Sequence, residues 1–154
     1  MIEDLNEDHS TDKYLIYQLA ADLFATPLLE IRGVIEYQAA KPIPHTAAFY
    51  EGVINLRGEI VGVIDLRVRL NIGGAGTPNC QLVFDTDVGP LAATVDRVLS
   101  VSALTEADID RRTAVTGSNR DRPYFLGVGR HGERLVTLIS LHKLVEMSQL
   151  TSAS

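Results

Sequence analysis

The sequence predicts a mainly β fold, either barrels or a sandwich, and three observations point there. Apolar residues gather in short runs rich in Val, Ile, Leu, Tyr and Phe, the residues that fit a pleated, buried surface. Gly, Pro, Asn and Asp punctuate those runs at short intervals. Helical signals are confined to three short stretches at the edges. Counting the runs gives about nine or ten short strands, the spacing of all-β barrels and sandwiches.

Taken in order, Lys13 to Leu19 is strand-like by the alternation around Tyr14 and Ile16, and Asp22 begins a turn into Leu23, Phe24 and Ala25. Thr26 to Gly33 reads as a short helix. Thr26 is its N-cap, Pro27 its first residue and Gly33 its left-handed stop. Val34 to Tyr37 resumes extended structure. Lys41 to Thr46 is loop, because Pro42 and Pro44 prevent either regular ladder. Phe49 to Leu70 follows, the most apolar and most tightly punctuated segment of the chain. In it Val53-Ile54 and Ile60-Val61 flank Asn55-Leu56-Arg57-Gly58, which predicts a hairpin with an arginine at its tip. Ile64 to Leu70 alternates strictly, so by period alone it is strand. Gly73 to Pro78 is a flexible connector; it lacks the Gly-Lys-Ser/Thr ending of a phosphate loop.

Gln81 to Phe84, Leu91 to Val95 and Val98 to Val101 are three further strands separated by Asp and Gly turns. Thr105 to Asp108 is a capping-box-like helix start, with Arg111 and Arg112 complementing the far end of the same short helix. Thr113 to Arg122 is polar loop. Tyr124 to Val128 and Leu135 to Ile139 flank a turn at His131-Gly132, a second clear hairpin. Ser140 caps a C-terminal helix with Leu141, Leu144 and Val145 on one face. No internal repeat is visible.

A chain of 154 residues is expected to form one domain with a sizeable core. Its composition is that of an ordinary soluble protein, without an apolar run of membrane-spanning length. An acidic N-terminus is the opposite of a signal peptide, and the single Cys80 excludes an internal disulfide and a cysteine zinc cluster. A cytosolic location is the default expectation. The net charge of −6 is unevenly placed. Residues 1–12 carry five acidic side chains and no Lys or Arg, and read as a solvated, disordered tail. The remainder holds 14 basic and 15 acidic side chains, which argues against nucleic acid, a ligand that demands a basic footprint.

Catalytic constellations are missing from this reading. His9, His45, His131 and His142 lie in the tail, a proline loop, a turn and a surface helix, none at ligand spacing with another. Cys80 has no basic neighbour to lower its pKa and reads as a small core residue. Asp85 and Asp87 precede Val88-Gly89-Pro90 and read as turn acids rather than an acid–base pair. Asp65 interrupts an apolar run. It either contacts a partner or pairs with Arg67, Arg69 or backbone amides, because an unpaired carboxylate there is costly. Arg57 is weighted toward a partner contact, since arginine anchors among apolar neighbours often dominate binding. No enzyme, metal or cofactor is expected.

The segment GVINLRGEIVGVIDLRVRL closely resembles the GV-NLRG-IVPVIDLR-RL segment of the CheW family, the coupling proteins of bacterial chemotaxis. Lys13 to Tyr17 is similar to that family's first strand and Val95-Asp96-Arg97-Val98 to its central Val-Asp-x-Val. Tyr124 to Val128 and Leu135 to Val145 resemble its closing strands and helix. The resemblance implies two intertwined five-stranded SH3-like β-barrels with short peripheral helices, as one domain over 13–150 with sub-barrels meeting near 73–78. It implies a helical turn after Asp65 in place of strand, and a frayed end at 151–154. It further implies a non-catalytic scaffold bridging the regulatory domain of a CheA-type histidine kinase to the cytoplasmic tip of chemoreceptors, at membrane-associated arrays but without membrane insertion. Ile31, Val34, Val98 and Val101 align with the family's small apolar contacts, and Gly52, Asn55 and Arg57 with its polar hairpin.

Three positions depart from the family pattern. Gly33 stands where Glu is usual, Gly62 replaces the proline of IVPV, and Thr46-Ala47 replaces Thr-Pro. The first removes a polar contact and points to an unusual receptor or kinase, or to a non-motility pathway. The second is expected to loosen the strand after the hairpin. A competing reading is a small-ligand sensor, which requires a closed, mostly apolar pocket between barrels; the scaffold requires an open groove and exposed apolar patches.

Overall fold

The computed structural model describes residues 11–44, 46–73, 76–112 and 123–146. Among the described residues, eleven strands form two sheets. The first runs β8 (Arg97–Thr105), β1 (Thr11–Leu19), β2 (Asp22–Pro27), β11 (Arg134–Ile139), β10 (Phe125–His131) and β9 (Ile109–Asp110). The second runs β3 (Ile31–Glu36), β6 (Cys80–Thr86), β7 (Gly89–Val95), β5 (Glu59–Asp65) and β4 (Tyr50–Leu56). These are the two expected barrels; the two-residue β9 makes the first sheet six-stranded. Nearly all pairings are antiparallel. The parallel pairs β2–β11 and β5–β7 join segments distant in sequence.

The second sheet is an excursion from the first. The chain crosses over at residues 28–30 and returns at Asp96, while the Gly73–Pro78 connector joins two strands of the same sheet. Asp96 fixes the return: its Oδ2 accepts the Ala20 N–H at 2.5 Å and its own N–H donates to the Gln18 carbonyl at 3.1 Å. Between the sheets lies one shared core. Leu15, Tyr17 and Leu19 of β1 meet Leu82 and Phe84 of β6 and Leu91, Ala93 and Val95 of β7 there. The intervening residues point the other way: Tyr14 and Ile16 into the first sheet's own core, Val83 and Ala92 into the second's. Strands buried on both faces therefore read as continuous apolar runs, not as alternation.

The helices are short. Leu66–Arg69 forms α1, and Asp65 caps it, its Oδ1 accepting the N–H groups of Arg67 at 2.9 Å and Val68 at 3.4 Å. The alternating 64–70 segment thus takes the helical turn, and the Asp65 carboxylate is satisfied by backbone amides. Residues 141–146 form α2, with Leu141, Leu144 and Val145 buried in the shared core and Ser140 Oγ accepting the Lys143 N–H at 3.2 Å. Thr105 and Asp108 make the capping box of a 3-10 turn over Glu106–Asp108.

Two local readings are corrected. Thr26 to Gly33 is not a helix: β2 runs through Pro27, a 3-10 turn spans Leu28–Glu30, and β3 begins at Ile31. Thr26 is fully buried, and its Oγ1 meets the Tyr17 hydroxyl at 2.8 Å instead of capping a helix. Gly33 lies within the ladder opposite Val83, just past a bulge, with no left-handed φ. Arg111 and Arg112 do not close a helix either. The turn gives way to β9 at Ile109, so Arg111 reaches back to Glu106 at 2.9 Å and Arg112 to Asp110 at 2.6 Å. The expected loop over 113–122, the N-terminal tail through residue 10 and the frayed end lie outside the described residues.

Candidate functional site, a groove beside the β4–β5 hairpin

The hairpin expected around Arg57 closes in a two-residue turn, with Leu56 opposite Glu59 and Asn55 opposite Ile60. Both turn residues have positive φ, +53° at Arg57 and +86° at Gly58, the pattern of a type I′ turn matching strand twist. Asn55 Oδ1 accepts the Gly58 N–H at 2.8 Å, so its amide stabilises the turn. Holding a non-glycine residue in the left-handed region costs about 1–2 kcal/mol, which the flanking ladder must offset. The result is an arginine pointed by a rigid turn. Its guanidinium is exposed and has no hydrogen bond or ion pair among the described residues.

Beside the tip is a groove of about 360 Å³ lined by Arg32, Gly33, Val34, Ile35, Leu56, Arg57, Glu59 and Val83. Its walls come from β3, the hairpin and β6. Arg32 crosses it, with Nη1 3.4 Å from Glu59 Oε1 and 3.5 Å from Asp85 Oδ1. Apolar walls with an unengaged arginine at the rim can recognise a surface carrying a carboxylate or carbonyl next to an aliphatic patch.

The structure brings two of the expected contact residues, Val34 and Arg57, to this groove. Ile31 begins the same strand, half-buried against the shared core. Val98 and Val101 are elsewhere, on β8 at the edge of the first sheet; Val98 packs on the shared core and Val101 is exposed. Gly52 is buried under Lys41, where Lys41 and Val53 exchange backbone hydrogen bonds of 2.8 and 2.9 Å. Arg32 was not anticipated. The exposed positions of β3 are Arg32, Val34 and Glu36, an alternation that a helical reading of 26–33 conceals.

The departures from the family pattern are accommodated. A side chain at Gly33 would meet open space within 4 Å, so the missing Glu leaves room in the groove. Gly62 does not interrupt β5, which is paired on both sides. A Cβ there would press on Leu91 Cδ2 at 2.7 Å. Ala47 still accepts a hydrogen bond, from the Tyr50 N–H at 2.9 Å.

Groups that could do chemistry lie apart from the groove. Cys80 is half-buried, and burial pushes its thiol pKa up, away from a reactive thiolate. Burial likewise raises the Tyr17 hydroxyl. A second open cleft, about 710 Å³, is lined by Asp108, Asp110, Arg111, Arg112 and Arg130 together with Ala107, Ile109, Val128 and Leu135, so its walls mix charged and apolar groups. Leu29, Ile60, Val88 and Leu135 are individually exposed, on four different segments of the chain. Among the described residues no helix is long and apolar enough to cross a membrane.

Comparison with known proteins gives a consistent result. The profile of the CheW-like domain matches residues 13–149. The chain is 26% identical over 141 residues to a chemotaxis protein CheW of Treponema pallidum, covering 87% of this chain and 82% of that protein. It is 30% identical over 136 residues to one of Thermotoga maritima, covering 86% of each. The crystal structure of the scaffolding protein TtCheW from Thermoanaerobacter tengcongensis superposes with a TM-score of 0.76 at 29% identity, covering 87% of both chains. With its paired sheets, NLRG hairpin and helical turn after Asp65, this chain belongs to the CheW family.

Proposed function

We propose that the protein is a non-catalytic coupling scaffold of a chemosensory array. It bridges the regulatory domain of a CheA-type histidine kinase to the cytoplasmic tips of chemoreceptors, in the cytoplasm at the membrane-associated array. The observation that carries this reading is Arg57, held without a partner among the described residues on a two-residue turn at the rim of a groove walled by Val34, Ile35, Leu56 and Val83. A scaffold needs at least two recognition surfaces, and the contact positions fall on different sheets. Arg57, Val34 and Ile31 serve one partner from the second sheet, with Asn55 and Gly52 setting the hairpin's shape. Val98 and Val101 serve the other from the edge of the first. Helix-in-groove recognition by apolar walls with polar pins fits a receptor helix.

The test is isothermal titration of the wild type and Arg57→Ala against the kinase regulatory domain and, separately, a receptor-tip fragment. Saturable binding to both is expected. Loss of a central arginine anchor typically costs at least about 2 kcal/mol, or roughly thirtyfold in Kd, for whichever partner the groove holds. Absence of binding by the folded wild type to either partner removes the coupling assignment. Equal affinities of wild type and variant for both partners remove the role of Arg57.

A further inference from the structure

Away from the groove, the β6–β7 turn and α2 bring three ligand-type side chains together. One ligand atom each from Asp87, His142 and Glu146 lies within 4.8 Å of the others. His142 Nε2 and Glu146 Oε1, one helical turn apart, are 3.5 Å from each other. For four ligands at Zn–N and Zn–O distances of about 2.0–2.1 Å, tetrahedral geometry sets neighbouring ligand atoms about 3.3 Å apart. The His142–Glu146 edge, at 3.5 Å, is within about 0.2 Å of that length. Asp87 is exposed on a turn and reaches the remaining distance by side-chain rotation.

Charge points the same way. Two carboxylates beside one imidazole favour a positive charge between them. Asp87 has no Lys or Arg partner among the described residues, and the nearby Arg32 is taken up by Glu59 and Asp85. Glu30 adds more negative charge, its Oε1 accepting the His142 N–H at 3.2 Å. His142 also lines a cleft of about 300 Å³ with Glu30 and Asp85, which leaves the site open to solvent ions.

We propose that Asp87, His142 and Glu146 form a binding site for a first-row transition ion such as Zn²⁺, with water as the fourth ligand. One imidazole and two carboxylates suit zinc; calcium and magnesium prefer all-oxygen shells. The ion ties the β6–β7 turn of the second sheet to α2, which packs into the shared core, and so fixes the flank of β3 next to Ile31.

The test is titration of ZnCl₂ into chelator-stripped protein by calorimetry, for wild type, His142→Ala and Asp87→Asn, with amide NMR shifts recorded alongside. The expected result is one equivalent bound, with shifts centred on residues 85–89 and 140–146. Losing a direct ligand should weaken binding by more than the roughly tenfold that an outer-shell partner costs. No saturable Zn²⁺ binding by the wild type overturns the proposal. So does equal affinity in both variants, which would place the ion on other histidines or Cys80. Should His142→Ala fail to fold by circular dichroism, Asp87→Asn, in an exposed turn, decides the matter alone.

Discussion

Gly52→Ala should damage the fold rather than the recognition surface, and the size of the effect follows from the backbone. At φ +138°, a Cβ on residue 52 would overlap the Lys41 carbonyl oxygen and sit 2.5 Å from its carbon and 2.9 Å from Pro42 Cα. All three are backbone atoms and cannot rotate away. Relief requires parting Lys41 from Val53 and losing their two mutual hydrogen bonds, each worth about 0.5–1.5 kcal/mol. An L-residue in this glycine-only region adds about 1–3 kcal/mol of strain. The sum is about 2–6 kcal/mol, a large part of the stability of a typical domain. Urea unfolding followed by circular dichroism is the assay. With a denaturant slope of about 2 kcal/mol per molar, the midpoint should fall by roughly 1–3 M. Gly33→Ala is the control: it has open space, no left-handed φ, and an expected gain of about 0.5 kcal/mol. A Gly52→Ala midpoint within about 0.3 M of wild type would refute the reasoning.

Other expectations are more local. Asp65→Ala removes the α1 cap and should cost about 1 kcal/mol in the same assay; no loss would mean that water caps the turn equally well. Tyr17→Phe leaves the buried Thr26 hydroxyl without its partner and should cost about 1–2 kcal/mol, most of which Thr26→Val restores in the double variant. Hydrogen bonds from the Arg112 side chain and N–H hold Asp110 near a pKa of about 2. Because its folded value is depressed, its contribution is present above the ordinary carboxylate range and lost as pH falls toward about 2. A carboxyl ¹³C titration checks this, and Arg112→Ala, which removes the side-chain bonds but keeps the N–H donor, should raise the Asp110 value part of the way to the ordinary range. Arg57→Ala, unlike all of these, should leave unfolding unchanged while weakening one partner.

Much of the fold was legible because local chemistry and tertiary outcome agree. The NLRG hairpin, the Asp65 cap, the Thr105–Asp108 box and the Ser140 start are each set by neighbours within a few residues. Thr26 to Gly33 misleads because Thr, Pro and Gly also serve at strand ends and bulges. Pairing of Ile31–Glu36 with β6, some fifty residues on, outweighs the cap signals. The excursion topology has no local signature at all. In the site, Arg57 was legible as a tip residue, but Asn55 spends its carbonyl oxygen on the turn and Gly52 on a backbone crossing. The set Asp87, His142 and Glu146 escaped a search of histidines against one another; His142 and Glu146 at i, i+4 were the available signal.

The excursion of the second sheet also constrains how the protein is made. Its strands β3 to β7 all lie between Ile31 and Val95, so this sheet can pair while later residues are still being synthesised. The first sheet cannot, because Phe24 waits for Thr137 and β1 waits for β8. Until then Leu82, Phe84 and Leu91 face a core whose other half is missing. A nascent chain whose Asp96 has just cleared the ribosome therefore exposes the apolar face of β6 and β7 until the later strands arrive.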